Sequence, residues 1–130
     1  MRFEHFALNM ESPVEMANWY CEHLGLHVVF AIEKPPYMRF LADSSDQVVM
    51  ELYHNPKAPI TDHSKNHQLI FHIAFESDNA KNDTDRLLDA GATFVEEKGP
   101  KEGTHLVMLR DPWGLALQIC QRKEKLNKNK

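Results

Sequence analysis

Cysteine is nearly absent from this chain, with Cys21 and Cys120 the only two among 130 residues. They stand far apart with no Cys-x-x-Cys spacing, which excludes a disulfide scaffold and fits two small hydrophobes in a reducing cytosol. No apolar run approaches the roughly eighteen residues a membrane span needs. The opening Met-Arg-Phe-Glu-His-Phe has no basic segment followed by an apolar one, so no secretory signal is visible and a cytoplasmic chain is expected. Excess positive charge is missing too. Nineteen acidic against fifteen basic residues give a net charge of −4, which excludes a general nucleic-acid footprint. Basic residues gather only in Arg122 to Lys130, expected to be a frayed, solvated tail. The five glycines are scattered and make no phosphate-cradling loop. Ser12 is better placed as a helix cap, Ser44 and Ser45 lie in a turn, and Cys21 has no partnered histidine, so nucleophilic catalysis finds no support. At 15.1 kDa a second independent domain would not fit. What is plentiful is histidine, eight residues beside nineteen carboxylates, which opens the question of a metal site.

The order of elements repeats. Residues 2–9 suit a strand, and Ser12-Pro13-Val14-Glu15 reads as a capping box opening a helix over 13–24, stopped by Gly25. Val14, Ala17, Tyr20, Cys21 and Leu24 recur at helical spacing. Strands follow over 26–32, 37–42 and 47–53. After a polar stretch with Pro56 and Pro59, a strand is expected over 69–75. A helix over 79–90 follows, with Ala80, Thr84, Leu87 and Leu88 inward, then strands over 93–97, 104–110 and 115–121. Gly99-Pro100 and Asp111-Pro112-Trp113-Gly114 mark turns. The string β-α-β-β-β occurs twice, which predicts two similar modules, 1–54 and 68–121, in one domain spanning 1–121. The linker is 55–67 and the polar tail 122–130.

Metal-capable residues interrupt four apolar strands: His5 in the first, Glu51 in the fourth, His72 in the fifth and Gln118 in the last. A carboxylate flanked by Val48, Val49, Met50 and Leu52 is expensive to bury unless paired or bound to a cation. From His5 to His72 is 72 − 5 = 67 residues, and from Glu51 to Gln118 is 118 − 51 = 67. If the modules superpose, two imidazoles, one carboxylate and one amide oxygen correspond in pairs. They form a first shell suited to one divalent ion such as Zn, Ni, Fe, Mn or Co. A lone strand histidine is commonly a hydrogen-bonded structural residue, and the shared offset is what singles these two out. His23, His27, His54, His63 and His67 lie outside the pattern and read as solvated.

The paired modules, the early His, the Glu in strand four, the His in strand five and the closing Asp-Pro-x-Gly turn resemble the vicinal oxygen chelate superfamily. That superfamily includes glyoxalase I, methylmalonyl-CoA epimerase, extradiol dioxygenases, and fosfomycin and bleomycin resistance proteins. The resemblance runs over 2–121 and is most specific at Asp111-Pro112-Trp113-Gly114-Leu115-Ala116-Leu117-Gln118-Ile119. It implies an α+β fold in which two β-α-β-β-β modules form a curved, partly open barrel with the helices outside. It implies a homodimer as well, to which an open sheet edge also points. Two residues depart from the family pattern. Leu115 stands where Asn is usual, and Gln118 stands where a Glu often serves as ligand and sometimes as base. An amide can ligate but cannot accept a proton at any useful pH, which leaves Glu51 as the titratable ligand and the expected catalytic base. With a single carboxylate the site would keep a formal +1 and act as a stronger Lewis acid.

Three further residues are candidates for substrate contact: Arg39 as an anion clamp, and Tyr53 and Trp113 as pocket walls. The resemblance implies a metal-dependent, glyoxalase-like isomerase or lyase whose small substrate chelates the metal through vicinal oxygens. The alternative is a module that sequesters an aromatic or drug-like ligand without metal, or an extradiol-type dioxygenase built on His5, His72 and Glu51.

Overall fold

The computed structural model describes residues 1–127, which divide into two compact units, Met1–Thr61 and the chain from Asp62 onward. The first unit runs β1 (Phe6–Asn9), α1 (Pro13–Leu24), β2 (His27–Ala31), β3 (Arg39–Ala42) and β4 (Val48–Tyr53). The second opens on a short 3₁₀ turn, His63–Lys65. It continues β5 (Ile73–Glu76), α2 (Ala80–Asp89), β6 (Thr93–Lys101), β7 (Thr104–Arg110) and β8 (Ala116–Gln121). Each unit holds one open four-stranded mixed sheet, in the order β1-β4-β3-β2 and β5-β8-β7-β6. The α+β class and the twice-repeated β-α-β-β-β order are therefore those of the sequence reading.

The repeat extends to the register. In the parallel ladder of the first unit, Phe6 pairs with Met50 and Ala7 with Glu51. In the second, Ile73 pairs with Leu117 and Ala74 with Gln118, each partner 67 residues further on. In both ladders the edge strand lies beside the last strand of its own unit, so an early residue and a late one meet.

α1 has the expected bounds. Pro13 occupies the first turn, where its missing N–H costs nothing, and Gly25 closes the helix at φ +71. Ser12, however, makes no side-chain cap hydrogen bond, so the capping box does not form. The buried face carries Pro13, Met16, Ala17, Trp19 and Tyr20, while Val14 and Leu24 are half-exposed. This face packs on β3 and β4, whose Leu41, Met50 and Leu52 are fully buried. Each large apolar side chain so buried contributes about 1.5–3 kcal/mol. In α2, Asn79 is the cap, its Oδ1 accepting from Asn82 N at 3.1 Å. Ala80, Thr84 and Leu87 turn inward as expected, but Leu88 stays 36% exposed.

β1 opens at Phe6 rather than at residue 2, and three further departures have local reasons. Residues 69–71 do not extend β5, because the main chain turns there, Ile70 N donating to His67 O at 3.0 Å. Gly99-Pro100 is not a turn, since β6 runs through it to Lys101. The reversal falls at Glu102-Gly103, both at positive φ, as a two-residue hairpin turn requires. The tail does not fray where it is described. Lys125 Nζ pairs with Glu76 at 3.0 Å and Asp78 at 2.8 Å, and residues 128–130 lie outside the described residues.

Candidate functional site

In the first unit, Glu51 projects from the middle of β4, on the face opposite the buried Met50 and Leu52. His5 sits one residue ahead of β1, beside the ladder that carries Glu51. Its Nε2 lies 3.5 Å from Glu51 Oε1, and its Nδ1 lies 2.9 Å from Glu4 Oε1. The Glu51 side chain is 13% exposed and that of His5 26%, so the pair is largely withdrawn from water. Phe40 meets the imidazole edge-on with ring centroids 5.1 Å apart, fixing the ring plane. Each ring nitrogen thus faces a carboxylate, and a neutral ring that gives its Nδ1 proton to Glu4 offers the Nε2 lone pair on the side of Glu51.

The second unit treats His72 alike. It stands one residue ahead of β5, and its Nδ1 lies 3.1 Å from the carbonyl of Gln68. A carbonyl accepts only, so Nδ1 carries the proton and Nε2 again holds the lone pair. Gln118, half-buried in β8, points to the face opposite Leu117 and Ile119. Its Oε1 accepts a weak hydrogen bond from Cys120 Sγ at 3.4 Å. Burial pushes the Cys120 thiol up, against the opposing pull of Arg122, so this partner remains a neutral thiol.

The other candidates fall in different settings. Tyr53 follows Glu51 by two residues and shares its face of β4, while Trp113 sits in the β7–β8 turn. That turn is drawn in by Asp111, which is 3% exposed and whose Oδ1 accepts from Trp113 N and Leu115 N at 2.9 Å each. Leu115, at the position where the resemblance expects Asn, is buried in the core. Arg39 is 6% exposed. Its Nη1 donates to the carbonyls of Ile32 and Met38 at 2.9 and 3.1 Å, and Nη2 to Glu33 at 2.9 Å, which secures the loop between β2 and β3.

Two groups that the sequence reading passes over prove to orient the imidazoles, Glu4 and the Gln68 carbonyl. Glu4 carries a legible signal, since it directly precedes His5. A backbone carbonyl carries none. Of the histidines read as solvated, His23 instead lies against Trp19 in a tilted ring contact, with centroids 5.2 Å apart. His54 meets the Met10 carbonyl at 3.1 Å.

The donor chemistry suits a divalent ion. Metal-bound imidazoles characteristically give their second nitrogen's proton to a carboxylate or carbonyl, as both His5 and His72 do here. Two donors each about 2.0–2.2 Å from one ion stand about 3–3.5 Å apart, which is the His5–Glu51 spacing. Among the described residues, no cluster of three or more His, Cys, Asp and Glu side chains is gathered around one point.

Comparison with known proteins agrees with the fold. The profile of the Glyoxalase/Bleomycin resistance protein/Dioxygenase superfamily matches residues 2–119. The chain is similar to the lactoylglutathione lyase of Salmonella typhimurium, at 26% identity over 95% of each chain. It is also similar to that of Neisseria meningitidis serogroup A, at 29% identity over 95% of this chain and 92% of the relative. Among solved structures, the antibiotic-binding protein TnmS3 from Streptomyces sp. CB03234 superposes with a TM-score of 0.69. The identity there is 17%, over 95% of this chain and 97% of TnmS3, a likeness of fold.

Proposed function

Because the chain belongs to the Glyoxalase/Bleomycin resistance protein/Dioxygenase superfamily, we propose that it is a metal-dependent enzyme of the glyoxalase type. It acts on a small substrate with two vicinal oxygens, by isomerase or lyase chemistry. The observation that carries this reading is the His5–Glu51 pair, at 3.5 Å, with the far nitrogen of the imidazole held by Glu4. The ligand set is His5, Glu51, His72 and Gln118, donors that suit Zn, Ni, Fe, Mn or Co. When bound, the ion supplies electrophilic stabilisation of the negative charge that develops on the substrate oxygens.

Glu51 is the base of this scheme, the one member of the set able to take a proton from carbon and return it. Gln118 contributes an amide oxygen only. Glu4 and the Gln68 carbonyl keep both imidazoles in the tautomer that offers Nε2. Tyr53, on the face of Glu51, and Trp113 are assigned contact with the substrate's apolar part. Arg39, with most of its donors given to Ile32, Met38 and Glu33, serves by holding the 32–38 loop. The working form is a cytoplasmic homodimer.

The amide at Gln118 favours one other reading, a module that sequesters an aromatic or drug-like ligand without turnover. Assay of the protein loaded in turn with Ni, Zn, Fe(II) and Mn, using the hemithioacetal of methylglyoxal and catechols with oxygen, separates the two. Metal-dependent conversion of the hemithioacetal that falls by about 10²–10⁴ in Glu51→Gln supports the enzyme. Tight, metal-independent quenching of Trp19 and Trp113 by aromatic ligands, with no conversion, supports the binder.

A further inference from the structure

The second helix covers less of its sheet than the first. α1 packs on β2, β3 and β4, whereas α2, ten residues against twelve, packs chiefly on β7 and β8. Between the flank of α2 and the strands β6 and β7 lies a groove of about 590 Å³, whose lining includes Thr84, Leu88, Phe94, His105, Val107 and Gln121. That volume is within the roughly 300–1,000 Å³ of small-molecule sites. Gln121 is three residues from Gln118 along β8, so the two side chains take opposite faces of the sheet. Gln121 Oε1 accepts from Ala80 N at the start of α2, which places the groove on the helix side, away from Gln118.

One atom beside the groove, itself buried from solvent, is unexplained by the fold. Thr84 is 8% exposed, and its Oγ1 has no hydrogen-bond partner among the described residues. The first unit has Ala17 at the same position of its helix, fully buried and with nothing to satisfy. A threonine in a helix ordinarily returns its hydroxyl to a carbonyl one turn earlier, or turns it outward by rotation about χ1. Gln121, its oxygen fixed by Ala80, keeps an amide nitrogen with no partner among the described residues. The polar groups at the rim already have partners, Lys81 with Asp85 at 2.6 Å and His105 with Glu97 at 2.7 Å. Phe94 at 51% and Leu88 at 36% exposure are left as apolar walls.

We infer that this groove is a second ligand site. It takes a small neutral molecule with an apolar, ring-sized body and one oxygen acceptor, such as an aryl ketone. The Thr84 hydroxyl, rotated about χ1, and the Gln121 amide nitrogen donate to the oxygen, and Phe94 and Leu88 cover the body. These partnered groups disfavour an ionic ligand, which would have to displace one partner to be neutralised. The site does not depend on the metal chemistry proposed above.

The test is a titration of the full chain, free of added metal, with acetophenone, followed by amide ¹H–¹⁵N NMR. Expected are saturable shifts at Thr84, Leu88, Phe94 and Val107. Binding should be roughly threefold to tenfold weaker for ethylbenzene, which lacks the oxygen, and for Thr84→Val, which lacks the hydroxyl. Thr84→Val keeps the shape and should melt no lower than the parent, so its weaker binding is not a folding defect. Leu88→Trp, filling the groove, should abolish the shifts. The inference is overturned by shifts that do not saturate up to the solubility of acetophenone. Shifts centred on Ala116 and Gln118, or equal affinity in the parent and Thr84→Val, overturn it as well.

Discussion

His5 Nε2 faces Glu51 Oε1 across 3.5 Å, and the register that brings them together recurs 67 residues later for His72 and Gln118. The two units thus share the register of this ladder and differ in its charge, since a carboxylate in one answers an amide in the other. Gln118→Glu removes that inequality. A second carboxylate would neutralise the remaining charge of a bound divalent ion. The variant should bind Zn or Ni at least tenfold more tightly, about 1.4 kcal/mol, by calorimetric titration. Unchanged or weaker affinity would take Gln118 out of the ligand set.

Gly114 closes the β7–β8 turn at φ +87, and a Cβ there would stand 2.6 Å from Ser64 Cβ and 2.9 Å from its backbone. The left-handed backbone alone costs a non-glycine residue about 1–2 kcal/mol, and the overlap adds to it because backbone atoms cannot rotate away. Gly114→Ala should therefore lower the melting temperature by about 10 °C. A melt within 2 °C of the parent, an ~0.5 kcal/mol change, would show that the turn relaxes freely.

Both cysteines are free, and burial pushes both thiols above their ordinary range. The folded state thus favours the protonated thiol. That contribution is complete below the ordinary thiol value of about 8.5 and is lost as pH rises through the raised one. Stability measured by thermal melts should fall as pH rises above about 8.5. The double variant Cys21→Ala, Cys120→Ala should show a shallower fall over the same window, whatever its starting level. Parallel slopes would contradict the assignment.

The repeat and the candidate ligands were legible because they are intervals. Two strands of like register, each preceded by a histidine and answered by a polar residue in an apolar strand, leave a mark that counting detects. The α1 stop was legible because Gly25 is the residue a left-handed cap prefers. What escaped was conformational. Nothing in Glu102-Gly103 outranks Gly99-Pro100 as a turn until the strand is seen to bulge at Gly99-Pro100 and resume pairing at Lys101. The apolar triplet Leu69-Ile70-Phe71 reads as strand although its main chain turns back on His67. Ser12 has the composition of a cap without making the bond. The groove beside α2 was illegible for another reason: Thr84 looks like any inward helix residue until its hydroxyl is found without a partner.

Metal content decides the central point most directly. The protein purified without chelator, then loaded with Zn or Ni and desalted, is expected to retain one divalent ion per chain by elemental analysis. His5→Ala and Glu51→Ala should each retain substantially less while keeping the parent's circular dichroism spectrum. Equal metal content in the parent and in both folded variants would contradict the assignment of His5 and Glu51 as ligands, and with it the metal-dependent reading of this chain.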